Sequence, residues 1–266
     1  MTSFFNLNKT LTRPKIRIAN RILLIDVIAI VVALLYEVYQ GQLETQTPVA
    51  ISLLFSIFVG IVAFILFSRN SEHIFVSDSY RLIPTSDTNL FSANLLSSFI
   101  AMIYVGLAQL VLYLVTLIPY WGQFGSAFKT TMHFLYQSSN KAHFAMNVTL
   151  SIISAIVLAV VALRFFWTSI SLIHLTGYTL TNFLPDARQK FFRFVLYIAV
   201  VVAFGYIYSV FANRTNDIME HFHLFEGMSS NLYANLFLAS LYLIVFGLLE
   251  SIGIVYLLKK WVETEN

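Results

Sequence analysis

Apolar residues in this chain run in long blocks separated by short polar connections. Six blocks stand out: Ile22–Tyr39, Val49–Phe67, Ala93–Ile118, Val148–Phe166, Phe194–Phe211 and Leu232–Leu258. Each approaches or exceeds the roughly 20 apolar residues that an α-helix needs to cross the hydrocarbon core of a bilayer. The five prolines, at 14, 48, 84, 119 and 185, all fall outside the block interiors. No internal repeat, heptad run or low-complexity linker is visible, and no connection is long enough for a separate soluble domain. The pattern predicts an all-α, polytopic membrane protein with six transmembrane helices. Residues 1–21 precede the membrane domain, 22–258 form it, and 259–266 are a short tail.

The polar segments add two features. In the N-terminal segment Phe4, Phe5, Leu7, Leu11, Ile16 and Ile18 alternate loosely with Lys9, Arg13, Lys15 and Arg17. That pattern suits an amphipathic interfacial helix with its basic side chains toward anionic lipid, broken or restarted at Pro14. A basic tail without fixed structure is the plainer alternative. Between spans two and three, Ser68 to Ser86 is amphipathic and of mixed charge, ending in Leu82-Ile83-Pro84-Thr85-Ser86. A short helix there would stop at Pro84, because the residue before proline resists the α region. Ser86 or Asp87 would then cap the next helix.

Composition strengthens the membrane reading. Of 266 residues, 58% are hydrophobic and only 11% charged, against about 25% charged in soluble domains. The 25 Phe and 14 Tyr suit lipid-facing walls and interfacial belts. Cysteine is absent, which removes disulfides, thiolate metal sites and thiol nucleophiles together. A cleavable signal peptide is not expected, because the first apolar run lacks a small-residue cleavage site. With the N-terminus inside, the inner segments collect 13 of the 16 Lys and Arg, and the outer loops keep Lys129, Lys141 and Arg214. The positive-inside rule therefore places both termini in the cytosol. Arg188, Lys190 and Arg193 in the connection after span four then lie at headgroup level as a topological anchor, or as a second contact for a partner.

A basic N-terminal segment, six spans and a loop carrying Tyr80, Leu82, Ile83, Pro84, Thr85 and Ser86 resemble permeases of the ABC-2 type of ATP-binding-cassette exporters. The spans cover the whole chain, whereas the loop pattern covers about twenty residues and is degenerate. Family members often carry a lysine at the start of the third span, and Asn89 to Leu96 contains none. The resemblance implies that Ser77, Asp78, Tyr80, Arg81, Leu82, Ile83 and Pro84 form a cytosolic coupling helix that docks on an ATPase subunit. It also implies a bacterial cytoplasmic membrane, ATP and magnesium held by a separate ATPase chain, and a second permease, identical or related. A hydrophobic or amphipathic cargo, such as an antimicrobial peptide or lipid-like compound, follows by analogy.

No machinery for covalent chemistry is legible, so the chain itself does not read as an enzyme. Gly125 to Thr130 lacks Walker A spacing, and there is no nucleophile elbow or zincin motif. Asp217, Glu220, His221 and His223 sit together between spans five and six, where solvated loop residues are the simpler reading than a metal site. No cofactor, metal or nucleic-acid partner is expected in this chain. Two carboxylates bear on function. Asp26 lies about a turn into span one, and Glu250 lies among Leu248, Leu249, Ile252 and Ile254 with no charged flank. A carboxylate within a span is costly, and a functional role is the default reading; Glu250 lies close enough to the inner end for snorkelling to be an alternative. Arg164 reads most simply as the inner boundary of span four. Against the exporter subunit stand a secondary transporter or channel using Glu250 and Asp26, and a non-transporting scaffold or immunity protein. The missing repeats and unbroken spans disfavour the former.

Overall fold

The computed structural model describes residues 3–77, 80, 82–138, 144–181, scattered positions between 191 and 213, and 232–260. Its regular elements are α1 (Phe4–Gln40), α2 (Thr47–Val76), α3 (Asp87–Leu117), a 3-10 turn (Ile118–Tyr120), α4 (Trp121–Ser138), α5 (Phe144–Thr181) and α6 (Leu232–Lys260). Among the described residues, five helical stretches are long and apolar enough to cross a membrane: α1, α2, α3 continued by α4, α5 and α6. They contain five of the six apolar blocks. The remaining one, Phe194–Phe211, is described at ten of its eighteen positions, all helical, and Arg188 and Lys190 lie outside the described residues.

The chain divides into two units, residues 1–141 and 142–266. The first is a three-helix bundle. Side-chain hydrogen bonds pair α1 with α3 in the same direction, from Lys15 with Asn94 through Asn20 with Tyr104 to Asp26 with Gln109. Helix α2 runs opposite, pairing Ser71 with Ser98 and Ser52 with Thr116. The bundle turns polar side chains inward among its apolar core and is apolar outside. Asp26, Ser52, Ser71, Glu72, Asn94 and Ser97 are buried, while Leu24, Ile25, Ile28, Val32 and Leu35 stand out. In water such a surface would aggregate; in lipid, polar side chains turned inward give helices a reason to associate.

Two expectations about the N-terminal segment are corrected. Helix α1 does not stop or restart at Pro14, which lies inside an unbroken helix. A proline there removes one backbone bond and costs about 3 kcal/mol. The buried stripe Leu7, Leu11, Lys15, Ala19, Ile22, Leu23, Asp26, Ile30 continues across it, so packing on both sides holds the helix together. Nor do its apolar residues line one exposed face: Leu7 and Leu11 are buried, while Phe5 stands exposed. Leu7 and Leu11 close on Ile74, Leu90 and Ala93, with Phe4, Tyr80 and Ile83 packed around them. The opposite face keeps an exposed basic row, Lys9, Arg13, Arg17 and Arg21.

The helix ends follow local rules. Gly41, at φ 68°, ends α1 in a left-handed turn in which its amide donates to Val38 and that of Gln42 to Glu37, a Schellman arrangement that glycine suits best. Ser86 caps α3 by accepting from the Asn89 amide at 3.3 Å. Pro119 does not end the helical path after α3; the chain tightens into a 3-10 turn and continues as α4.

In the second unit α5 and α6 pack side by side, again in the same direction: Thr168 lies near Gly247 and Leu172 near Gly253. Small residues permit the approach. A Cβ added at Gly253 would lie 3.3 Å from Leu172 Cδ1, and one at Gly247 3.9 Å from Thr168 Oγ1. Without a hydrophobic drive in lipid, such close packing and interhelical hydrogen bonds supply the association.

Candidate functional site

The end of the first unit where α1 begins, α2 ends and α3 begins holds a buried ammonium. Lys15 is fully buried, although its sequence context suggests a headgroup-facing lysine. Its register explains the difference: it follows Leu7 and Leu11 at helical spacing and so falls on the stripe facing α3. Its Nζ donates to Asn94 O at 2.9 Å, Asn94 Oδ1 at 2.7 Å, Ser97 Oγ at 2.7 Å and Ser98 Oγ at 2.6 Å. An ammonium carries three protons, so four acceptors share them. The Glu72 carboxylate adds a favourable charge, and Asn94 Nδ2 donates to Ser71 O at 3.2 Å. Lys15 therefore joins three helices at one point, directly beneath the α2–α3 connection.

That connection contains the residues singled out for coupling. Ser77 ends α2, its amide donating to His73 O and its carbonyl accepting from Tyr80. Ile83 N donates to Tyr80 O at 3.3 Å and Thr85 N to Ile83 O at 2.7 Å, so the described residues form successive tight turns. Tyr80 and Ile83 pack inward on the Leu7–Leu11–Ile74 cluster. Leu82 points outward and is 82% exposed, and Pro84 is exposed beside it. Asp78 and Arg81, and with them the expected coupling helix, lie in part outside the described residues.

The two span carboxylates occupy separate units. Asp26 is buried in the bundle, where Gln109 Nε2 donates to Oδ2 at 2.7 Å; Oδ1 has no hydrogen-bond partner among the described residues. Glu250 is buried in the α5–α6 seam. Thr168 Oγ1 donates to its Oε2 at 2.5 Å and Ser169 Oγ to its Oε1 at 2.6 Å. The charge missing from its own helix comes from α5, where the Arg164 guanidinium acts on it electrostatically. Arg164 also reaches Ser251 Oγ at 3.5 Å. Helix α5 runs on to Thr181, so the helix itself continues past Arg164. Snorkelling is not how Glu250 is accommodated; it turns toward α5.

No group of three or more potential metal-ligating side chains occurs among the described residues, and Asp217, Glu220, His221 and His223 lie outside them. An open pocket near the opposite end of the first unit, lined by Glu37, Glu44, Gln46 and Tyr120, touches neither Lys15 nor Leu82. The neighbours of Lys15 were not legible in the chain, because Asn94, Ser97 and Ser98 lie some eighty residues away; the one available signal was the i, i+4, i+8 spacing of Leu7, Leu11 and Lys15.

Helices of membrane-spanning length, with polar side chains inside and apolar ones outside, define the class: an α-helical integral membrane protein. No family model, no curated protein and no solved structure matches the chain.

Proposed function

We propose that this chain is the membrane subunit of an ATP-driven exporter of the ABC-2 type, in a bacterial cytoplasmic membrane with both termini in the cytosol. The carrying observation is the contrast within the α2–α3 connection. Tyr80 and Ile83 are anchored in the bundle, while Leu82 stands 82% exposed at its tip. A subunit that receives mechanical work needs an apolar contact on a rigid base, and the Lys15 network supplies that base. Energy comes from ATP and magnesium on a separate ATPase chain. A second permease, identical or related, completes the pathway, and the cargo is hydrophobic or amphipathic. Six spans are supported by the helix directions. A chain that leaves α5 and later joins a parallel α6 must come back in between, and Phe194–Phe211 is the apolar block available for that return.

The test is co-purification of the full chain with the products of neighbouring genes. A soluble ATPase is expected to accompany the wild type and to be lost with Leu82→Asp, at unchanged thermal stability because Leu82 supports no packing. Full retention of the ATPase by Leu82→Asp removes the coupling contact. The buried Asp26, with Oδ1 unpartnered among the described residues, favours a second reading, ion-coupled transport; transport driven by a proton gradient without any ATPase would select it.

A further inference from the structure

Helix α4 differs from the other helices among the described residues. At 3.6 residues per turn, Gln123, Ser126, Lys129, Thr130, His133 and Gln137 fall within one arc of about 120°. The opposite arc carries Trp121, Phe124, Phe128 and Met132, interrupted only by Thr131 and, at the helix end, Ser138. Trp121 and Phe124 lie 6.3 Å apart, and Phe124 stacks on Phe128 at 6.2 Å. These rings form a continuous ridge, and Trp121 and Phe128 are 63% and 51% exposed.

Position and charge say what covers the ridge. Helix α3 has 31 residues, about 46 Å of helix, which already exceeds a hydrocarbon core of about 30 Å. Helix α4 therefore begins where the chain leaves the core, at the end of the first unit opposite Leu82. The lipid-facing side of α3, with Leu107, Leu110, Leu114 and Ile118 exposed, runs directly into Trp121. Pro119 has no N–H to give, and the 3-10 turn around it is the point at which the path can bend. No Asp or Glu occurs between Asp87 and Asp186, so the polar arc offers Lys129 and His133 without an acid on the same helix. An aromatic ridge opposite a polar arc with a lysine and no acid matches the headgroup–acyl boundary of a membrane. We infer that α4 is an interfacial helix whose Trp121–Phe124–Phe128 ridge is seated in the bilayer surface, on the face opposite the α2–α3 connection.

The absence of native cysteine makes the test direct. Single cysteines at Phe124, Phe128 and Met132, and at Ser126, Thr130 and His133, are nitroxide-labelled in the full chain. The protein is placed in nanodiscs of phosphatidylcholine and phosphatidylglycerol, and power saturation is read with oxygen and with a water-soluble nickel chelate. Positions on the ridge are expected to be open to oxygen and several-fold less open to nickel, with the polar arc reversed and the two in antiphase at helical period. Immobilised ridge labels closed to both reagents overturn the inference in favour of a protein contact, with this chain or a second copy. Equal nickel access on both arcs overturns it in favour of a helix standing in water.

Discussion

An ammonium withdrawn from water costs several kcal/mol unless acceptors surround it. Around Lys15 the acceptors come from α3, and the geometry makes the cost asymmetric. Removing the cation leaves Ser97 and Ser98, whose hydroxyls also donate to Asn94 O at 2.7 and 3.1 Å, so Lys15→Met should cost about 1–3 kcal/mol. Replacing Asn94 takes away Oδ1, one of the four acceptors, and the Nδ2 bond to Ser71 O while the buried charge stays, so Asn94→Leu should cost more, about 3 kcal/mol. The double variant should recover part of that loss. Thermal unfolding of the four proteins in detergent checks the cycle; equal and additive losses would mean that the network is not coupled. Glu250 presents the opposite case. Thr168 already donates to the backbone oxygens of Arg164 and Phe165, and an amide keeps an acceptor for Ser169, so Glu250→Gln should change stability by no more than about 1 kcal/mol. If the acid lies on the substrate path, transport in vesicles should nevertheless collapse. Loss of both stability and transport would assign Glu250 to helix pairing alone.

At the scale of elements, α5 and α6 are held by closeness rather than by greasy contact. Gly253 leaves room for Leu172 and nothing larger, because even a methyl would come within 3.3 Å of that side chain. Gly253→Ile should therefore force the pair apart and destabilise by about 1–3 kcal/mol. The same change at Gly106, which faces open space, should do far less. Unfolding midpoints of the two variants, compared in one detergent, decide it, and similar midpoints would refute the close-packing account. Helix α1 teaches a related lesson: Pro14 reads as a break in sequence, yet a buried stripe on both sides outweighs one lost hydrogen bond.

Considered as a whole, the molecule separates its jobs along the first bundle. One end ties three helices together under an exposed leucine, and the other end leaves the core through Pro119 into an aromatic-ridged helix. Leu82→Asp and the α4 labels probe these two ends, and each has a structural control. The Leu82 variant must keep its unfolding temperature while losing its partner. The α4 labels must show helical periodicity if one arc faces lipid, and lose it if the helix stands in water. Should the ATPase stay bound and the α4 periodicity hold, the Leu82 coupling contact fails while the membrane geometry stands.

Much of this was legible in the chain because bilayer length and apolar content act on contiguous residues. The apolar blocks, the serine cap on α3 and the placement of Asp26 and Glu250 within apolar blocks all rest on local composition. Tertiary structure decided what depends on residues far apart in sequence. It turned Lys15 from a headgroup ligand into a three-helix junction, gave Glu250 the arginine and hydroxyl partners its own helix lacks, and carried α1 through Pro14. The physical reason is the same in each case. In a membrane the surplus of apolar residues marks which segments cross, but the few polar side chains choose their partners across helices, and no one-dimensional pattern records those choices.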